Sequence, residues 1–141
     1  METTDRDVDE FLAALPDDVR DDMTKLDAVI AAEMTGLPRR LFEGRFWGGT
    51  DQQIIGYGTQ VTTRSDKREV RWFVVGLAAQ KRHLSVYVSA VEDRQYLSEK
   101  YGPELGKVKV GKSSIGFSST ADIDLDKLAN LVGRARRVSE A

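Results

Sequence analysis

The sequence predicts an α+β domain: an antiparallel sheet of about five to six strands, packed by N-terminal helices and a C-terminal helix. Three observations predict it. Apolar residues recur at helical spacing near the two ends of the chain. The middle alternates or runs apolar over short stretches, as strands do. The strand-like runs are joined by connections too short for a crossover helix, so neighbouring strands must be antiparallel. The 141 residues make one domain with its own core. Its helical layer covers about residues 5–36, its sheet about 40–118 and its last helix about 124–138.

Each element has a local reason. Val8, Phe11, Leu12 and Leu15 fall on one helical face, with Thr4 or Asp5 as a cap. Pro16-Asp17-Asp18 restarts a helix with acids in its first turn, where the dipole favours them. Val19, Met23, Leu26 and Ile30 form its stripe, and Gly36 and Pro38 end it. Glu33 lies near that stripe and needs a partner, Arg39 or Arg40. Arg45-Phe46-Trp47 reads as a first strand, bounded by Gly48-Gly49. Strands follow over Ile54–Thr63, Val70–Leu77 and His83–Ser89, the first two separated by a turn at Ser65-Asp66-Lys67-Arg68. Leu84, Val86 and Val88 should face the core. A short helix is expected from Asp93 to Tyr101, and two short strands around a kink at Gly111. The final helix has Asp124 as its N-cap and Leu125, Leu128, Val132 and Ala135 on one face.

Composition excludes several classes. With no cysteine there is no disulfide, thiolate metal site or cysteine nucleophile. No apolar run approaches the ~20 residues of a membrane helix. The acidic start Met1-Glu2-Thr3-Thr4-Asp5 has no apolar region of a secretory leader, so a cytoplasmic location is expected. Residues 1–35 hold 11 acids and 3 bases, and residues 36–141 hold 12 acids and 18 bases. The asymmetry fits an acidic helical layer against a basic sheet, or two separate binding faces. The basic part is diluted by acids and its aromatics form no evident base-stacking platform, which argues against nucleic acid.

Gly106-Lys107-Val108-Lys109-Val110-Gly111-Lys112-Ser113 matches the phosphate-loop pattern G-x-x-x-x-G-K-[ST]. Its surroundings contradict nucleotide hydrolysis. A phosphate loop opens a helix, whereas here the alternation of valine and lysine continues through Ser114-Ile115-Gly116-Phe117. Too few residues remain for further parallel strands and a metal-binding Asp.

The laid-out chain resembles the YdhG-like family, a domain of unknown function (DUF eighteen-oh-one). The resemblance rests on Asp9–Leu15, on Trp47-Gly48 with Ile54-Ile55-Gly56-Tyr57-Gly58, and on Trp72–Ala78 leading to Lys81–Tyr87. It is carried furthest by Leu105–Ile115 with Asp122-Ile123-Asp124-Leu125. Val108 stands where many members carry His, and the insertion Gly49–Gln53 is longer than usual. The resemblance implies a curved antiparallel sheet covered by helices. Some members carry the label of frataxin-like iron chaperones.

Two binding readings follow. Lys107, Lys109 and Lys112 with Ser113 and Ser114 concentrate donors around glycines, and a left-handed Gly111 would turn successive N–H groups into an anion nest. The competing explanation is an edge hairpin with gatekeeping lysines. On the first reading the chain binds a small anionic ligand, using Lys107, Lys112, Ser113 and Ser114, with Trp47 and Tyr57 as an apolar wall. The glycines beside Tyr57 equally predict a core notch filled by an aromatic ring. The alternative is an iron chaperone with a weak site at Asp17, Asp18, Asp21 and Asp22. These acids are otherwise a solvated helix start. His83, the single histidine, has no evident triad or metal partners, and no catalytic constellation stands out, so a non-enzymatic domain without cofactor is expected.

Overall fold

The structure, a computed structural model, describes residues 2–45, 51–63, 67, 69–80 and 83–140. The apolar rows of the sequence are used as strands of one antiparallel sheet. Its strands are β1 (Glu2–Thr4), β2 (Arg39–Arg45), β3 (Asp51–Tyr57), β6 (Val75–Ala79), β7 (Leu84–Val88), β10 (Lys109–Val110) and β11 (Ser114–Phe117). They lie in the order β1-β2-β3-β6-β7-β11-β10. The register lines up Leu41, Ile55, Leu77, Val86, Ile115 and Val110 across six strands. All but the half-buried Val110 are at most 2% exposed. Above this row pack α1 (Val8–Ala13), α2 (Asp17–Glu33) and α4 (Leu125–Glu140), through Val8, Phe11, Met23, Leu26, Ile30, Leu128 and Val132.

The sheet has seven strands, one more than the upper expectation, and is not strongly curled. The N-terminal residues pair with β2 as an edge strand, and the cap of α1 is Asp7 in place of Thr4 or Asp5. Its Oδ1 accepts from Asp9 and Glu10 N–H at 2.8 and 3.2 Å. Of the first predicted strand, Arg45 is the last residue of β2 (Arg39–Arg45), while Phe46, Trp47, Gly48 and Gly49 lie outside the described residues. The predicted strands at 54–63 and 70–77 each break in two. At Gly58 (φ +74°) the chain leaves the sheet for the hairpin β4 (Gln60–Thr63) and β5 (Glu69–Trp72). It returns after Phe73 and Val74, the latter's N–H donating to Tyr57 O at 3.0 Å. Asp93 and Arg94 start no helix. Both have positive φ, 54° and 66°, and make the turn between β8 (Val91–Glu92) and β9 (Gln95–Tyr96). Helix α3 is confined to Leu97–Tyr101 and runs into a 3-10 turn at Gly102–Leu105.

The two faces of the sheet are covered differently. Opposite the helices, Arg40, Gly56, Gly76, Tyr87 and Ser114 share a row. The adjacent glycines leave a notch that Phe73 fills, edge-on to Phe42 (5.3 Å between centroids) and stacked with Trp72 (4.6 Å). A Cβ on Gly56 would lie 2.4 Å from the Phe42 ring and 2.9 Å from Phe73 Cβ.

One polar anchor ties the helical layer to the sheet. Asp27 of α2 accepts from Arg39 Nε and Nη2 at 3.0 and 2.7 Å and from the Tyr57 hydroxyl at 2.7 Å. Arg39 Nη2 also reaches Asp9 of α1 at 3.0 Å. Arg39 is thereby committed to Asp27 and Asp9, and the expected pairing with Glu33 does not form; the Glu33 carboxylate instead lies over Gly133 of α4. Burial works against the Arg39 charge, but the Asp27 hydrogen bonds and charge outweigh it, and the net shift is upward. Burial, reinforced by Asp27, pushes the Tyr57 phenol up from 10.0.

Gly56→Ala is expected to cost about 1–3 kcal/mol by overpacking, measured by urea unfolding. The raised Tyr57 value means the folded chain holds that proton more tightly. The contribution is complete below about pH 10 and is lost as pH rises beyond it, at up to about 1.4 kcal/mol per pH unit. Tyr57→Phe should remove this part of the alkaline decline in stability, as urea titrations between pH 8 and pH 12 would reveal.

Candidate functional site

The segment matching the phosphate-loop pattern is an edge hairpin. β10 and β11 pair antiparallel, and Gly111 N–H closes their turn on Ser114 O at 2.8 Å. Ser113 begins no helix: its carbonyl accepts from Val88 N–H at 2.9 Å and the chain continues as a strand. Gly111 is not left-handed, so the anticipated nest does not form there. The glycine held in that region is Gly106, at φ +135°. A Cβ on it would lie 2.3 Å from Asp122 O. Around it, Lys107 N–H donates to Asp122 O at 2.9 Å and Asp124 N–H to Leu105 O at 2.7 Å. Two residues later Asp124 Oδ1 caps α4 as predicted, accepting from Asp126 and Lys127 N–H at 2.9 and 3.1 Å.

This clamp leaves a cleft of about 540 Å³ on the sheet face away from the helices. Lys107, Lys109, His83, Ser85, Ser114 and Ser118 line it, with Asp122 on its wall. Gly116, paired with both Ser85 and Lys109, contributes bare backbone; a Cβ there would touch the His83 ring at 3.5 Å. Ser85 Oγ donates to Gln80 Oε1 at 2.7 Å, and Gln80 Nε2 donates to Tyr87 OH at 2.6 Å and Gln52 Oε1 at 2.9 Å. Burial pushes the Tyr87 phenol up, against the opposing hydrogen bonds of Gln80 and Ser85. These contacts hold the serine in place. Lys107 and Lys109 are exposed and, among the described residues, carry no ion pair.

Lys107 and Ser114 therefore enter the cleft together, whereas Lys112 and Ser113 do not line it. Lys112 is exposed at the hairpin turn, and its carbonyl accepts from the buried Ser98 hydroxyl. Tyr57 lies on the opposite face, 1% exposed and bonded to Asp27, and cannot wall this cleft. Trp47 lies outside the described residues. Lys109 belongs to the donor cluster read from the sequence but not to the chosen ligand set, His83 was expected to have no special role, and Ser85 was not anticipated; strand alternation puts each on a face but does not say which strands become neighbours. Of the four helix-start acids, Asp17 pairs with Arg20 and Asp22 accepts from Thr120 Oγ1 at 2.6 Å. Among the described residues no group of three His, Asp or Glu side chains is arranged to hold a metal ion. No described helix is long and apolar enough to cross a membrane. Comparison with protein-family models, with curated proteins and with solved structures finds no match to the chain.

The two glycines of the motif should behave oppositely. Gly106→Ala meets a backbone oxygen in a left-handed conformation and is expected to cost more than about 2 kcal/mol. Gly111→Ala meets only the movable Ser114 hydroxyl, at 2.7 Å, and should cost less than about 1 kcal/mol. Chemical denaturation of the two variants checks both.

Proposed function

We propose that the chain is a small, non-enzymatic binding domain for an anionic ligand, held in the cleft between β7 and the β10–β11 hairpin. The observation that carries this reading is the pairing of two lysines outside any ion pair among the described residues, Lys107 and Lys109, with the Ser114 and Ser118 hydroxyls around a concave floor of bare backbone. The lysines supply charge, the hydroxyls supply orienting hydrogen bonds, and the glycine admits the ligand close to the main chain. Asp122 sets a limit on charge density at one wall. Edge lysines alone are explained by protection of a sheet edge. That account leaves Ser114 on β11 and His83 just ahead of β7 without a role. Such a domain would be YdhG-like, and an iron carrier gains no supporting geometry from the helix-start acids, two of which are taken up by Arg20 and Thr120.

Calorimetric titration with inorganic phosphate and with citrate tests the reading. The native chain should bind at least one of them, more weakly as salt rises. Lys107→Ala with Lys109→Ala should weaken binding at least about tenfold, equivalent to about 1.4 kcal/mol. Lys112→Ala should change it less than about threefold. Equal loss in all variants, or no heat with either anion, would contradict the proposal.

A further inference from the structure

A second basic concavity, of about 350 Å³, lies between α4 and the α3 segment. Lys127, Asn130, Arg134 and Arg137 of α4 line it, facing Tyr101 and Glu104. Arg134 is fixed before any ligand arrives. Its Nη2 and Nε donate to Glu92 Oε1 at 2.7 and 3.2 Å, and its guanidinium sits 4.9 Å from the centre of the Tyr101 ring. Lys100 reaches the same carboxylate at 3.2 Å. Lys127 and Arg137 are exposed and carry no ion pair among the described residues, although the Arg137 guanidinium lies on the same side of Gly133 as the Glu33 carboxylate. Ten residues of helix separate them, a rise of about 15 Å.

We propose that this cleft docks an extended acidic peptide segment of a partner protein. A compact anion meets both cations only if the two long side chains stretch inward toward it, which costs side-chain entropy. In an extended chain, side chains at i, i+2 and i+4 span about 13 Å on one face, so alternating acids match the two ends. Glu104 and the Asn130 side chain supply acceptors for peptide N–H groups. Nucleic acid fits less well. Arg134 and Lys100 both sit against the Tyr101 ring, which takes it out of use as a base-stacking platform.

Fluorescence anisotropy of the full chain with a labelled peptide alternating Asp and Thr tests the proposal. The native chain should bind it, and the same peptide with Asn for Asp should not bind. Lys127→Gln with Arg137→Gln, both at exposed positions, should weaken binding at least tenfold with unchanged Tm. Lys107→Ala with Lys109→Ala should leave it within twofold, which separates this surface from the cleft on the other side of the sheet. Absence of binding, undiminished binding by the α4 variant, or equally tight binding of single-stranded DNA of the same charge would overturn it.

Discussion

The end of the molecule that carries the candidate cleft depends on the close approach of the chain to itself at Gly106. With φ at +135° and no side chain, this residue lets the Leu105–Lys107 backbone bond to Asp122 and Asp124. That contact sets three things at once. It delivers the lysines to a sheet edge, places Asp122 on the cleft wall, and brings the chain to the Asp124 cap where α4 begins. The phosphate-loop pattern therefore contains one glycine with a strict structural duty, and it serves a strand-and-helix junction with no P-loop behind it.

The rest of the fold supplies a rigid back for that end. On one face an apolar row crosses six strands and is sealed by helices, with Asp27, Arg39 and Tyr57 fixing the register of α2 against β2 and β3. Arg136 strengthens the same layer by donating to the α2-terminal carbonyls of Glu33 and Thr35 at 3.1 and 2.8 Å. On the other face, glycines and aromatics make a second, smaller core that ends in the Gln80, Ser85 and Tyr87 network. The cleft begins where that network reaches the hairpin, so its serine is oriented from within the sheet.

Periodicity made the layers legible. The stripe of α2, the Asp124 cap and the inward face of Leu84, Val86 and Val88 follow directly from spacing. Three features did not. The breaks at Gly58 and at Phe73-Val74 look like continuous strands, because β-branched and aromatic runs do not record where a chain leaves a sheet. The β1 pairing involves three polar residues whose edge position gives no apolar signal. Asp27 on α2 gives no hint in sequence that a buried tyrosine and an arginine from separate strands meet it. The site was half legible for the same reason: Lys107 and Ser114 stood out by composition, whereas His83 and Ser85 became relevant only once β11 was placed between β7 and β10.

The central claim is that the lysine ribbon serves a cleft on the exposed sheet face. Amide chemical-shift mapping by nuclear magnetic resonance, with inorganic phosphate added to the native chain, tests it most directly. The account predicts saturable shifts confined to Lys107–Lys109, Ser114–Ser118 and the His83–Ser85 segment. Shifts concentrated at the start of α2 or along Asp27 and Tyr57, or none that saturate, would contradict it.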